Sequence, residues 1–237
     1  MHVYPIAAAA VWGTVAGLAL PRPAHRLSVG PDDPRRTRCP ADRPYPRGWR
    51  GWWGPARNAG DPAGGWRYAL VTAAVCALVA ARTGARPELA VWLLLVPLGV
   101  LLARVDLTVL RLPDVLTLPA AAGTAALLGV AALLPGHDGS WPRALLGAAA
   151  LGLFYLVLHL VNPDGMGFGD VKLAPTAGLV LAWYGWGTVA VGTFAAFALG
   201  AVTGLVLLAA RRAGRRTPLP FGPFILAGAL AGPLLPS

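Results

Sequence analysis

Charge is scarce in this chain. Of 237 residues only 20 are basic and 10 acidic, so 13% are charged, where an ordinary soluble domain has roughly 25%. A soluble core needs a polar shell, and this one is too thin for the length, which excludes a soluble globular enzyme. Cysteine is nearly missing as well. Cys39 and Cys76 alone supply neither a disulfide framework nor an all-cysteine zinc site. Histidine is sparse and scattered: His2, His25, His137 and His159 form no pair at i, i+4. There is no His-Glu metalloprotease helix and no Gly-x-Ser-x-Gly nucleophile turn. What the chain has instead is apolar surface, with 56% hydrophobic residues and a mean hydropathy of +0.60. That balance excludes disorder. The net charge of +10 therefore points to a membrane, and no nucleic-acid-binding module accompanies it.

A bilayer-spanning helix needs about 20 mostly apolar residues, because only internal hydrogen bonds satisfy the backbone in lipid. Such runs cover Pro5–Leu20, Tyr68–Ala81, Leu89–Val105, Val115–Leu134, Ala144–Val161 and Leu219–Leu235. A further uncharged stretch, Leu173–Ala210, is 38 residues long, too long for one span. Trp183-Tyr184-Gly185-Trp186-Gly187 interrupts it with interface-seeking aromatics and turn-forming glycines. Two helices there make eight, so the expected fold is an all-α polytopic bundle of about eight spans.

Cytoplasmic loops carry an excess of Lys and Arg. With the N-terminus outside, ten arginines between residues 21 and 67 fall inside, as do Arg104, Arg111, Lys172, Arg211, Arg212, Arg215 and Arg216. Only Arg82, Arg86 and Arg143 fall outside, a division of 17 to 3. A secretory signal begins with positive charge, and Met1-His2-Val3-Tyr4 has none, so the first run is expected to be a retained helix.

Residues 21–67 form the one sizeable polar segment, rich in Pro, Gly, Arg and Trp and without helical or strand periodicity. Trp49, Trp52, Trp53 and Trp66 sit among Arg47, Arg50 and Arg67. Either the segment is a basic aromatic patch on anionic lipid headgroups, or it is a loosely ordered loop whose arginines fix topology. The second reading is the simpler.

Ionisable residues beside membrane spans are costly and ask for a reason. Two loops concentrate acids, Arg104–Asp114 and Asn162–Leu173, and the topology puts both at cytoplasmic helix ends. Two carboxylates brought together share a proton, so that one serves as base on a water and the other as acid on a carbonyl. Gly165, Gly167 and Gly169 would let a substrate backbone approach Asp170 closely. The structural alternative is that Asp106 and Asp114 only pair with Arg104 and Arg111, and that the glycines form an ordinary turn.

Gly165-Met166-Gly167-Phe168-Gly169-Asp170-Val171-Lys172-Leu173 resembles the G-x-G-D-x-K-L signature of the type IV prepilin peptidases, membrane aspartic proteases. Asp106 followed by Leu112-Pro113-Asp114 resembles that family's other catalytic segment. Thr217–Phe224 resembles the proline-rich approach to its last helix, so the likeness covers about 98–232. It implies Asp106 and Asp170 as the catalytic pair. Gly165, Gly167, Gly169, Lys172, Pro113 and Asp114 support the motifs, and Asp164 lies near without a catalytic role.

Bifunctional members carry two C-x-x-C pairs that hold zinc, with a domain that methylates the new pilin N-terminus from S-adenosylmethionine. Here Cys39-Pro40-Ala41-Asp42 resembles the first pair with Asp42 in place of the second thiol. One thiolate cannot make a tetrahedral thiolate site. The expected organisation is thus a first transmembrane helix at 1–20, a degenerate remnant at 21–67 and a peptidase domain at 68–237, with no metal and no cofactor. The expected substrates are prepilins or pseudopilins, cleaved on the cytoplasmic side of the inner membrane, with lipid as the other partner. The rival readings are a bifunctional peptidase/N-methyltransferase and a proton-coupled transporter, though the chain shows no convincing internal repeat.

Overall fold

The computed structural model describes residues 3–30, 33–54, 64–163, 165–212, 214 and 217–234. His2, Arg57, Asp164, Arg215, Arg216 and Leu235 lie outside the described residues. Among those described, the chain is all helix and turn, with one isolated antiparallel bridge between Arg38 and Pro44. It folds as two compact units, Met1–Val109 and Leu110–Ser237.

In the first unit, α1 spans Val3–Ala19, α2 Pro21–Leu27, α3 Gly64–Thr83 and α4 Glu88–Val109. Apolar helices in lipid gain little from hydrophobicity against each other, so they associate where small residues let backbones touch. Gly13 and Gly17, one turn apart on α1, do this against Ala69 and Ala73 of α3. A methyl on Gly17 would lie 2.6 Å from the Ala69 Cα, and one on Gly13 would lie 2.7 Å from the Ala73 Cα. Trp12 Nε1 adds a hydrogen bond to the Leu93 carbonyl of α4, at 2.8 Å.

Where no helical periodicity marked the sequence after α1, the chain first forms a second helix. Pro21, with its fixed φ, opens α2 at a 44° bend from α1. The irregular chain beyond is then held by guanidinium donors. Arg22 Nη1 donates to the carbonyls of Arg50 and Trp53, both at 2.8 Å, and Arg26 Nη1 donates to Gly51 at 3.0 Å. The Arg26 guanidinium also stacks 4.0 Å over the Trp52 ring. Coil carbonyls have no ladder to pair with, and a five-donor fork can satisfy several at once. Such contacts have no period, so nothing in the apolar pattern announces them.

In the second unit, α5 spans Asp114–Ala132, α6 Trp141–Val161, α7 Phe168–Tyr184, α8 Trp186–Ala209, α9 Gly222–Ala229 and α10 Ala231–Leu234. The central element is α7, which is buried along most of its length and packs on the other five. Glycines again mark the crossings. Gly147 meets Gly178 between α6 and α7, and Gly192 meets Gly228 between α8 and α9. The predicted break in 173–210 falls at Gly185, whose φ of +151° and ψ of 169° suit only glycine. Arg143 closes the C-terminal end of α7, donating to the carbonyls of Ala182 at 2.8 Å and Trp183 at 2.7 Å. That satisfies two orphan acceptors where the helix dipole favours a cation.

Every predicted apolar run contains helix, but the last is not continuous: α9 and α10 divide at Leu230. By length and composition α4, α5, α6 and α8 can each cross a membrane, and α1 with α2 makes a fifth if the bent pair is one span. The chain is a multi-pass membrane protein. Of the remaining runs, α3 carries Arg67 and Arg82, and α7, 17 residues long, carries Asp170 and Lys172.

Candidate active site

Asp106 occupies the last turn of α4 in the first unit and is 4% exposed. It shares the buried side of that helix with Leu101, Leu102 and Val105. Arg104, two residues earlier, is turned about 200° around the helix axis. Its Nε donates to the Tyr68 hydroxyl at 3.2 Å and its Nη1 donates to Thr108 Oγ1 at 2.7 Å. A buried carboxylate and an engaged arginine thus occupy opposite faces of one helix end.

In the second unit the other predicted residues converge on the start of α7. Gly167 is the N-cap, and the Asp170 amide donates back to its carbonyl at 3.0 Å. Asp170 therefore sits at the third position of α7, 6% exposed, where the unsatisfied amides and the dipole of the first turn favour negative charge. Its carboxylate folds over Gly167: a methyl there would lie 3.2 Å from Asp170 Oδ2. The other two glycines are also accounted for within the fold. A methyl on Gly169 would lie 3.0 Å from the Leu112 Cβ and 3.2 Å from the Leu112 amide nitrogen, and one on Gly165 would overlap the Asn162 side chain. Their bareness lets the loop before α7 close on itself and on the 110–113 connection into α5.

Pro113 begins α5. With φ −68° and ψ 129° it holds the chain extended, and its carbonyl accepts from the amides of Leu116 at 2.9 Å and Thr117 at 3.1 Å. Asp114 is thereby fixed in the first turn of α5. Lys172 Nζ reaches across from α7 and donates to both its carboxylate oxygens at 2.7 Å. Asp114 thus has a lysine partner, and the second motif is tied to the first at two points, this pair and the Gly169–Leu112 contact.

Three contributors were not singled out by spacing. His159 Nδ1 donates to the Met166 carbonyl at 2.7 Å, pinning the glycine turn to the end of α6. Phe168 lies between His159, at a centroid distance of 5.3 Å, and Lys172, whose Nζ is 4.7 Å from its ring centroid. Asn162 accepts from the amides of Gly165 at 3.1 Å and Met166 at 3.2 Å through its backbone carbonyl. The one available signal was His159 standing three residues before a turn-forming Asn-Pro.

Zinc of the bifunctional kind does not fit the residues present. Cys39 and Asp42 form a closed turn, with the Cys39 amide donating to Arg43 and the Asp42 amide to Cys39, both at 2.8 Å. The Asp42 carboxylate, however, pairs with Arg38 Nη1 at 3.0 Å. Among the described residues no three His, Cys, Asp or Glu side chains cluster for a metal.

Residues 92–208 match the Type IV leader peptidase family. The chain is 34% identical over 164 residues to the prepilin leader peptidase/N-methyltransferase of Bacillus subtilis, covering 68% of this chain and 62% of that one. It is 36% identical over 126 residues to the protein of the same name from Pseudomonas aeruginosa, covering 51% and 40%. For the Stutzerimonas stutzeri protein the identity is 38% over 97 residues, covering 40% and 31%. The chain thus spans between 31% and 62% of the length of these relatives. No solved structure matches. The segment 92–208 belongs to the type IV leader peptidase family.

Proposed function

We propose that this member of the type IV leader peptidase family is a membrane-embedded aspartic endopeptidase that removes the leader of prepilins or pseudopilins. Asp106 and Asp170 are the catalytic pair. One, ionised, takes a proton from the attacking water as the other, protonated, donates its own to the scissile carbonyl; when the C–N bond breaks, the first passes its new proton to the leaving amine and the second takes one back from the diol. The observation that carries this reading is the burial of both carboxylates, 4% and 6% exposed, each at the end of an apolar helix. An acid in that setting is costly to ionise and costly to keep without a task.

The charge division of 17 to 3 supports a site on the cytoplasmic side of the inner membrane, with the N-terminus outside. Lys172 and Asp114 act as positioning residues that fix the start of α7. The relatives' names also include N-methyltransferase. Our reading assigns this chain the peptidase step alone, with 21–67 as the remnant of a second domain, because Asp42 stands in place of a thiol and is committed to Arg38. The test is cleavage of a prepilin leader-plus-helix peptide by the purified protein and by Asp106→Asn. Leader release by the variant at the wild-type rate would remove the assignment.

A further inference from the structure

Within the first unit, α2, α3, α4 and the coil carrying Arg36 and Pro40 line an open cavity of about 640 Å³. Its lining carries three guanidinium groups, from Arg36, Arg67 and Arg104, and no carboxylate among the described residues. Nor does any of the three form an ion pair among the described residues. Arg104 is held in place through Nε and Nη1 by Tyr68 and Thr108, which leaves its second terminal nitrogen as a free donor pair. Apolar side chains share the lining, Val71 of α3 and Val100 and Leu107 of α4.

The α4 contribution follows the helical repeat: Val100, Ala103, Arg104, Leu107 and Thr108 form one stripe, spaced i, i+3, i+4, i+7, i+8. Along the stripe Val100 and Ala103 are apolar, Arg104 is cationic, and Leu107, one turn nearer the helix end, is apolar again. Asp106 lies off it, on the buried face. The cavity is therefore distinct from the carboxylate's side of the helix.

We propose that this cavity is a binding site for one anionic phospholipid, its phosphate held by Arg36, Arg67 and Arg104 and the start of an acyl chain lying on Val71, Val100 and Leu107. Three unpaired cations around an acid-free opening call for an anion, and guanidinium is the side chain best matched to a phosphate. The adjoining wall of two apolar helices calls for a ligand that is also hydrocarbon. A soluble phosphate would satisfy the rim and leave that wall wet. The cavity lies at the C-terminal end of α4 and the N-terminal end of α3, the helix ends that the arginine bias assigns to the cytoplasmic side. A site of this kind would keep the α2 segment pressed to the membrane surface.

The test is native mass spectrometry of the purified full chain in detergent, titrated with dioleoyl phosphatidylglycerol or dioleoyl phosphatidylcholine. Each arginine near an anionic headgroup contributes roughly fivefold in affinity, about 1 kcal/mol. The expected result is one phosphatidylglycerol retained in preference to phosphatidylcholine. That preference should fall about fivefold in Arg104→Gln and further in the triple variant Arg36→Gln/Arg67→Gln/Arg104→Gln. Arg82→Gln, at the other end of α3, should leave it unchanged. Leu107→Trp, which fills the apolar part without touching charge, should also weaken retention. Equal uptake of the two lipids, or a preference surviving both Arg104→Gln and Leu107→Trp, would overturn the proposal. So would displacement of the lipid by inorganic phosphate at similar concentration, which would mark a soluble-anion site. None of these readouts involves peptide cleavage, so the peptidase reading stands or falls separately.

Discussion

Lys172 Nζ lies 2.7 Å from each carboxylate oxygen of Asp114, joining the first turns of α5 and α7 across 58 residues of chain. The pair is partly open to solvent, with the lysine side chain 23% and the aspartate side chain 55% exposed. Exposed ion pairs contribute at most about 1 kcal/mol to stability. The pair matters more for where it holds the start of α7, and hence Asp170, than for how firmly the protein folds. Asp114→Asn and Lys172→Gln should each leave the thermal midpoint of the purified protein nearly unchanged while lowering leader cleavage about fivefold. The swap Asp114→Lys/Lys172→Asp should recover part of that rate. If the swap is slower than either single change, the positioning role is wrong.

The proposed dyad makes a sharper prediction. A proton shared between two carboxylates belongs to the pair, so removing either partner removes the function of both. Asp106→Asn and Asp170→Asn should each reduce cleavage by roughly 10²–10⁴-fold, the usual contribution of a positioned acid or base. The double variant should lose little more. Losses that multiply in the double variant would mean two independent roles.

How much of this was legible in the sequence depends on the kind of interaction. Long apolar runs announce their own helices, and Gly185 between aromatics announced the break between α7 and α8. The G-x-G-D turn stood out as a motif, but what its glycines pack against did not. Their neighbours, Leu112, Asn162 and the Asp170 carboxylate itself, come into view only once the chain has folded. Arg22 and Arg26 read as surface charge and turned out to be donors to coil carbonyls. The division of the last run at Leu230 had no strong local marker.

Gly13 and Gly17 were legible in principle, since small residues four apart on an apolar helix are an association signal. A side chain at Gly17 would meet the Ala69 Cα and the Tyr68 carbonyl, each at 2.6 Å from its first carbon, and backbone atoms cannot step aside. Gly17→Leu should therefore separate α1 from α3 and cost about 1–3 kcal/mol, in line with overpacked cores. Gly123→Ala, where nothing stands within 4 Å, should be neutral or slightly stabilising. Thermal unfolding of both variants in one detergent checks the pair. A Gly17→Leu protein that melts with the wild type would show that the two helices do not depend on this contact.

Topology can be read directly. Reporter fusions after Arg67, Arg111 and Lys172 should report the cytoplasm, and those after Arg86, His137 and Gly185 the outside. The bias behind this is 17 basic residues against 3. One of the three exceptions is already committed, since Arg143 caps the carbonyls of Ala182 and Trp183. A reversed signal at two or more sites would overturn the arrangement of eight runs.

The last prediction concerns Cys39. Its turn keeps a closed backbone, but the residue three positions on is an aspartate, at a left-handed φ of +56° and paired with Arg38 at 3.0 Å. Recruiting Asp42 to a metal would require breaking that pair, and two further ligands would still be needed. A structural zinc site contributes folding energy only when four ligands close around it. Cys39→Ser should therefore change neither the melting temperature nor leader cleavage, and strong chelators should leave cleavage intact. The purified protein should likewise transfer no methyl group from S-adenosylmethionine to the new pilin N-terminus. Stoichiometric zinc lost on Cys39→Ser, or a labelled methyl on the product, would show that residues 21–67 work as a second catalytic domain.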